Sequence, residues 1–347
     1  MRHNKTSFSL VSDKTKILYL DVIGKGIYYD EFTTALSNIA DVFIYGRGTN
    51  HYYPTHTIEQ ILEVYKKNKR NTPDLILFGY GWEKDVYSTE EYDSNAHGVQ
   101  LNLQNIPNTI ARASILNKEY KNLDKKINFV KNNSFDAAFT AHHDYDKYSR
   151  QTQTSFYRLP FAANSDVFKD YELQKTIDIG FSGNMFNKGV YKETNIMGNY
   201  FKNIRERVYT ELQKSKYGNL DIWWNSNSGQ YLYGKEYGKL INSAKIWLNT
   251  PSAIKIVGTR FYEVIASKTL LFCRECDVAY EGLGFDDGQT CVTFKSDLSD
   301  FEEKLFYYLK NEGEREKIVS RAYKMFIENH TWQHRAKFVI EKSLGAK

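Results

Sequence analysis

The sequence predicts an α/β protein of two Rossmann-like domains facing one another across a cleft. Three observations predict it. Short apolar runs alternate with helical patterns along most of the chain, and this alternation pauses near residue 165 and restarts near residue 176. The length of 347 residues also exceeds what one hydrophobic core supports, since single cores stop growing at roughly 250–300 residues.

In the first half, "KILYLDV" (16–22) is an apolar run ending at "IGKG", followed by a helical stretch around "YYDEFTTALSNIA". "DVFIYG" (41–46) is the next strand, and the helix "TIEQILEVYKKNK" leads into "PDLILFGYGW" (73–82). "GVQLNLQN" (98–105) reads as a strand and "RASILNKEYKNLDKKINFVKNN" as a helix. "FDAAFTAHH" (135–143) and "TSFYRLPFAAN" (154–164) complete the set, the latter running into a linker. Apolar strands each followed by a helix argue for a parallel sheet covered on both faces. Such sheets bind ligands at the carboxyl ends of their strands, which here carry Gly24, Gly26, Gly46, Gly48, Gly79, Gly81, His142 and His143.

The second half repeats the pattern. "TIDIGFSGN" (176–184) is a strand that breaks at Gly183. "YFKNIRERVYTELQKS" (200–215) is an amphipathic helix with Ile204, Val208 and Leu212 on one face. "LDIWWN", the helix "YGKEYGKLINSA", "KIWLNT", "TLLFCRE" and "QTCVTFK" continue the alternation, and three helices close the chain. We therefore expect an N-terminal domain over 1–165, a C-terminal domain over 166–330, and a final segment, 331–347, whose helix crosses back to the first domain.

Composition narrows the function classes. The apolar share of 41% and charged share of 26% are those of a globular chain, and the net charge of +5 permits an anionic partner without demanding one. The basic cluster "YKKNKR" (65–70) ends a helical pattern, where cations complement the helix dipole. Three cysteines, Cys273, Cys276 and Cys291, are too few for a disulfide framework, and Cys273-x-x-Cys276 has no second pair to complete a zinc site. With no signal peptide and no apolar run of membrane-spanning length, we expect a cytoplasmic chain with at most peripheral membrane contact.

The chemistry concentrates in "VGTRFYEVIASKTLLF" (257–272). Gly258 and Thr259 form a turn into a helix whose first N–H groups carry partial positive charge. Arg260 adds a planar fork of donors matched to phosphate oxygens. Glu263, one turn in, can accept hydrogen bonds from the paired hydroxyls of a ribose. Gly183 and Asn184 end the domain's first strand, where small side chains let phosphates approach backbone amides. These residues describe a nucleotide-diphosphate pocket. A blander account also fits: Glu263 complements the helix dipole and Arg260 is its surface partner.

The run "YGKLINSAKIWLNTPSAIKIVGTRFYEVIASKTLLFC" resembles the donor-binding core of GT-B glycosyltransferases, nearest the group similar to CgeB-like spore-maturation proteins. The resemblance takes in "DIGFSGN", "LPFAANSDVF", "FEEKLFYYLKNEGEREKIVSRAYK" and the ending "HTWQHRAKFVI", and so covers about 155–340. It implies a nucleotide-sugar donor, with a UDP-sugar foremost, held by the C-terminal domain, and an acceptor held by the N-terminal one. It implies that Glu263 holds the donor's ribose, that Arg260 contacts the diphosphate, and that Gly183 and Asn184 form the phosphate-side loop. It also implies a reaction with no metal and no further cofactor; Asp286-Asp287 lies in a "GFDDGQ" turn that favours Asp and Gly on its own account.

One position departs from the pattern. Retaining members of this fold often carry a second glutamate eight positions before the first, where this chain has Lys255, a residue that can instead contact phosphate. An inverting enzyme needs a base for the acceptor hydroxyl, and His97, His142, His143, Asp21 and Asp30 are the first-domain candidates, with no basis to choose among them. Besides transfer to a glycan, lipid or protein hydroxyl, three other readings use the same architecture: transfer to hydroxylated bases of DNA, epimerisation of a sugar nucleotide, and nucleotide-sugar binding without turnover.

Overall fold

Successive residues of a strand face opposite sides, so a strand covered on both sides must be apolar at nearly every position. The apolar runs of this chain obey that rule and fold accordingly. The computed structural model describes residues 14–23, 27–69, 71–80, 101–117, 119, 123–183, 204–224, 232–252 and 254–345. The first half comprises β1 (Lys16–Leu20), α1 (Ile27–Ile39), β2 (Asp41–Tyr45), α2 (Ile58–Lys69), β3 (Leu75–Phe78), β4 (Ala111–Ile115), α3 (Leu123–Asn132), β5 (Ala137–Thr140), α4 (Tyr145–Thr152) and β6 (Ser155–Arg158). The second comprises β7 (Ile177–Phe181), α5 (Ile204–Leu212), β8 (Ile222–Trp224), α6 (Gly234–Asn242), β9 (Ala244–Asn249), α7 (Thr259–Ala266), β10 (Leu270–Arg274), α8 (Asp277–Tyr280), β11 (Val292–Phe294), α9 (Phe301–Lys310), α10 (Glu312–Asn329) and α11 (Trp332–Leu344).

Two separate parallel sheets result. The first has six strands in the order β2-β1-β3-β4-β5-β6, the second five in the order β11-β10-β9-β7-β8. On the first sheet, Ile17, Tyr19, Leu75, Leu77, Ala111 and Ala113 face one layer, and Leu18, Leu20, Ile76 and Phe78 face the other, with α2 and α3 covering the latter. The second sheet divides in the same way: α7 and α10 bury Trp247, Leu271 and Cys273, while α5 and α9 bury Ile179, Phe181, Ile246, Leu248 and Phe272. The α/β class and the two facing parallel sheets are those the alternation predicts.

One stretch was misread from the sequence. No strand is formed over 101–103, and 98–100 lie outside the described residues. The fourth strand is instead β4, which pairs in parallel with both β3 and β5, and the helix of this region begins only at Leu123. The segment "ARASI", read as the start of the helix, is the strand β4. The strand tolerates Arg112 because the guanidinium donates to the carbonyls of Ile106 (3.1 Å) and Asn133 (3.5 Å).

The final helix α11 packs on α1 and against β4 and β5 of the first sheet. Its start is held by a capping box between Thr331 and His334 and by a parallel bridge from Thr331 to Ala163 of the linker. Trp332 inserts beside Phe32 and Tyr80. Arg335, buried, donates to the carbonyls of Pro160 (2.8 Å), Phe161 (3.0 Å) and Asn329 (2.8 Å), and so pins the first crossing of the chain to the second. His330, Thr331, Trp332 and Arg335 thus tie the start of α11 to the linker and the first sheet's layer.

Candidate functional site

In an open parallel sheet, the crevice for a ligand opens where neighbouring strands send their connections to opposite faces. In the second sheet that point lies between β7 and β9. The exit of β7 is Ser182-Gly183, and the exit of β9 is Thr250. Gly183 adopts φ +135°, and a Cβ there would stand 2.0 Å from Nη1 of Arg260 and 3.6 Å from Nη1 of Arg205. Two guanidinium groups therefore converge on a strand end whose φ favours glycine.

Each arginine is fixed from its own side. Arg260 Nη1 donates to the Ser182 carbonyl at 2.5 Å. Arg205, near the start of α5, donates from Nε to Thr250 Oγ1 at 2.9 Å and lies over the Phe181 ring. Tyr237 reaches the same point through a hydrogen bond with the Ser182 hydroxyl, and burial raises its phenol pKa, with the nearby Glu263 adding to the rise. The helix tip is open as well. Gly258 is the N-cap of α7, no side chain caps the helix, and a Cβ on Gly258 would meet nothing within 4 Å. Uncapped N–H groups beside two arginines make a site for an anion.

Glu263 sits one turn into α7, partly exposed at the wall of this crevice. Burial pushes its carboxyl up from 4.5 to about 7, against the lowering influence of Arg260 and a hydrogen bond with Thr259. Glu31 of α1, in the other lobe, pushes it in the same direction as burial. The second-domain residues predicted from sequence thus meet: Gly183, Gly258, Thr259, Arg260 and Glu263 share one crevice. Asn184 lies outside the described residues. Lys255, exposed with φ +61°, sits in the same β9–α7 loop, near enough to His143 to lower its pKa.

The first-domain candidates do not meet. His97 lies outside the described residues. Asp21, at the end of β1, is buried; it accepts from the Tyr19 hydroxyl at 2.5 Å and from Val22 N–H at 2.7 Å. Asp30 is exposed in the first turn of α1. His142 and His143 stack at 4.2 Å beyond β5 and face the second domain. Nδ1 of His142 accepts from Asp144 N–H at 3.1 Å, and the ring also hydrogen-bonds the Ile254 backbone of the β9–α7 loop. Burial lowers its pKa from 6.5 to about 4, with His143 and Arg158 adding to the effect and Asp144 opposing it. Ala141, Ile254 and Ile256 pack together at this contact, and Arg158 at the end of β6 donates to the carbonyls of Glu281 and Ala279. The carboxyl ends of the two sheets therefore face each other.

His142, His143 and Asp144 bring three metal-ligand atoms within 4.8 Å of one another. The His142 ring already has partners in Asp144 N–H and the Ile254 backbone, and the positive charges of Arg158 and Lys255 both reach His143. Elsewhere, Cys273 and Cys291 are buried free thiols and Cys276 is a partly exposed one. Asp287 accepts from Thr293 N–H at 2.6 Å.

Sequence reasoning missed three residues that the fold brings to the crevice. Arg205 lies in the amphipathic helix and Tyr237 in the helix "YGKEYGKLINSA", neither singled out, and Glu31 lies in the helical stretch "YYDEFTTALSNIA". Nothing in the local spacing marks them; each acquires its place only through the sheet order and the facing of the lobes.

Residues 193–341 match the family model described as glycosyl transferase-like. No curated protein sequence matches the chain significantly. Among solved structures, HepE of Anabaena in complex with UDP and glucose is similar at 10% identity with a TM-score of 0.56, over 94% of this chain and 98% of that one. A glycosyltransferase from Rickettsia africae is similar at 12% identity and a TM-score of 0.56, over 96% and 99%. An Escherichia coli trehalose-6-phosphate structure with UDP-2-fluoro glucose bound is similar at 10% identity and a TM-score of 0.56, over 95% and 99%. Among the described residues no helix is long and apolar enough to cross a membrane. Residues 193–341 thus resemble the glycosyl transferase-like family, and over nearly its whole length the chain shares the two-sheet fold of these solved structures.

Proposed function

We propose that the chain transfers a glycosyl group from a UDP-sugar to a hydroxyl-bearing acceptor without a metal ion, with the donor in the second lobe and the acceptor against the first. The observation that carries this reading is the convergence of Arg205 and Arg260 on Gly183, one helical turn from Glu263. Displacement at an anomeric carbon builds positive charge on the sugar and negative charge on the departing diphosphate. Fixed donors aimed at that departing charge are worth most in the transition state, because they need no reorganisation as it forms. Two guanidinium groups and an uncapped helix tip supply the charge compensation that a divalent cation supplies elsewhere. Glu263 lies where a ribose attached to that diphosphate would present its hydroxyls. Solved relatives of the fold hold UDP, UDP-glucose and UDP-2-fluoro glucose, which favours uridine as the base. The acceptor belongs among glycans, lipids or protein hydroxyls, and the cytoplasm is the compartment in which nucleotide sugars would reach it.

The test is incubation with UDP-, GDP-, ADP- and dTDP-sugars, each with and without EDTA, reading donor consumption and product. Transfer or slow donor hydrolysis, unchanged by EDTA, supports the reading. Interconversion of epimers makes the chain an isomerase, and binding without turnover makes it a nucleotide-sugar receptor. Transfer to hydroxymethylated DNA, with affinity falling steeply as salt is added, would move the acceptor class to nucleic acid.

A further inference from the structure

The loop 46–57 leaves the carboxyl end of β2, the outermost strand of the first sheet, and carries the rings of His51, Tyr52, Tyr53 and His56. Three aromatic rings of this corner are layered in succession from core to solvent. Tyr45, the last residue of β2, is wholly buried; the His56 ring stacks on it at 6.1 Å and 24°, and Tyr53 stacks on His56 at 5.4 Å and 29°. The series ends in an open ring, since Tyr53 is 62% exposed. The backbone that presents this ring is fastened from beneath. The Tyr45 hydroxyl accepts from Tyr53 N–H at 3.1 Å, donates to the Tyr53 carbonyl at 3.3 Å and shares a hydrogen bond with Nδ1 of His56 at 2.7 Å. Ile23 N–H donates to the Arg47 carbonyl at 3.1 Å, which ties the loop to the chain just beyond β1. An aromatic ring held this way loses little conformational freedom when a ligand covers its outer face.

The place of this stack along the cleft decides what would cover it. The lobes touch at the ends of β5 and β6, where Ala141 packs on Ile254 and Ile256 and Arg158 donates to Ala279 and Glu281. Gly258, at the open tip of α7, follows Ile256 by two residues, so the anion site lies near that contact. In the order β2-β1-β3-β4-β5-β6, β2 is four steps from β5, about 19 Å at the usual strand spacing. The stack therefore stands on the carboxyl edge of the first lobe but at the end away from the lobe contact. We propose that Tyr53, backed by His56, is a stacking subsite for a sugar ring of the acceptor, and that the acceptor is an oligosaccharide or longer glycan lying along this edge. This rests on the glycosyltransferase reading above and names its acceptor class. An acceptor that touches Tyr53 while its hydroxyl reaches the donor must span on the order of 10–20 Å, which asks for a chain of sugars rather than one. A pyranose buries its apolar C–H face on an aromatic ring and keeps its hydroxyls in water. Charge argues for a neutral ligand as well. Arg47 is the one charged residue of the loop, whereas a nucleic-acid strand stacked on aromatic rings also needs a basic groove for its phosphates.

The experiment compares wild type with Tyr53→Ala and with Tyr53→Phe, which keeps the ring. Gluco-, manno-, galacto- and N-acetylglucosamine series, each from monosaccharide to hexasaccharide, and a single-stranded oligonucleotide are titrated by saturation-transfer NMR; UDP binding, donor hydrolysis and thermal unfolding are measured alongside. In at least one saccharide series affinity should rise with chain length. Tyr53→Ala should weaken the long members about tenfold, the scale of one lost stacked ring, and Tyr53→Phe should stay within about twofold of wild type. UDP affinity and melting temperature should match wild type in both variants. Three results overturn the subsite: Tyr53→Ala binds the oligosaccharides as tightly as wild type, wild type binds no saccharide of the panel, or the oligonucleotide is the ligand that Tyr53→Ala loses. With UDP binding and donor hydrolysis intact, each of these leaves the glycosyltransferase reading in place. A wild-type chain that neither binds UDP nor hydrolyses UDP-, GDP- or dTDP-hexoses overturns that reading, and the acceptor role of Tyr53 with it.

Discussion

The carboxyl edges of the two sheets face one cleft but are built differently. The second edge gathers Gly183, Arg205, Arg260, Glu263 and the open tip of α7 around one point. The first edge scatters its titratable groups: Asp21 sealed, His142 and His143 pinned at the lobe contact, Asp30 in solvent, and Glu31 held by Trp332 of α11. On the proposed function, the difference follows from what each edge would have to hold. A diphosphate presents the same oxygens whatever sugar it carries, and backbone amides, a glycine and guanidinium forks satisfy it in one stereotyped way. A hydroxyl acceptor imposes no such geometry beyond a place for one proton.

The largest expected effect tests whether the second edge is tuned to the transition state. Arg260→Ala should lower kcat by about 10²–10³-fold, the usual loss when one donor to a developing oxyanion is removed. UDP affinity should fall much less, because the leaving-group charge peaks only as the bond breaks. Steady-state kinetics beside UDP titration calorimetry separates the two. Equal losses in both would reduce Arg260 to a passive phosphate contact.

Next in size comes Gly183→Ala. The substitution meets a backbone at φ +135° and a guanidinium 2.0 Å from the new Cβ. Strain of this kind costs about 1–3 kcal/mol, and a displaced Arg260 should weaken UDP binding about tenfold. The matching change on the first edge, Gly48→Ala, would place its Cβ 3.3 Å from the Ile23 carbonyl at φ +98°, so it too should lower the melting temperature. It should leave UDP affinity untouched. If both glycines affected UDP binding alike, the distinction between the edges would fail.

This contrast also explains what was legible in the sequence. The two sheets announced themselves because doubly covered strands must be apolar throughout, and the one failure, β4, carries an arginine satisfied by the carbonyls of Ile106 and Asn133, far from any local signal. That Gly258, Arg260 and Glu263 lie together at one helix start was legible because they fall within about one turn of each other. Arg205 and Glu31 were not, since each meets the crevice through sheet order rather than spacing. The acidic doublet Asp30-Glu31 shows the limit most sharply. Adjacent helix residues point about 100° apart, so one faces water and the other the hinge, and the choice depends on where α11 returns.

Glu263 offers a test of comparable chemistry but smaller reach. Glu263→Ala should weaken donor binding by about 1–3 kcal/mol, the scale of a charge-assisted hydrogen bond. Its titration gives a second readout. Because burial raises the folded pKa from 4.5 to about 7, the folded chain holds a proton between those values that the unfolded chain releases. The stabilisation from this group is therefore fully present below about pH 4.5 and is lost as the pH rises through about 7. Glu263→Gln should accordingly lose less melting temperature than wild type between about pH 5 and pH 8. Parallel curves for the two proteins would place Glu263 in solvent rather than in the crevice wall.

The smallest expected effect is at Asp30, and it is the most pointed use of the comparison. Asp30 is exposed in the first turn of α1, so its replacement by alanine removes a solvated charge. Surface changes of that kind stay within about 0.5 kcal/mol in stability. Asp30 does contribute to the raised pKa of Glu31, though less than burial does, so its loss should lower that pKa slightly. Turnover of Asp30→Ala should stay within about twofold of wild type, the scale of a small Coulomb change at an exposed site. A large loss at Asp30 would place it in the acceptor site and overturn the reading of α1's first turn as a solvated face.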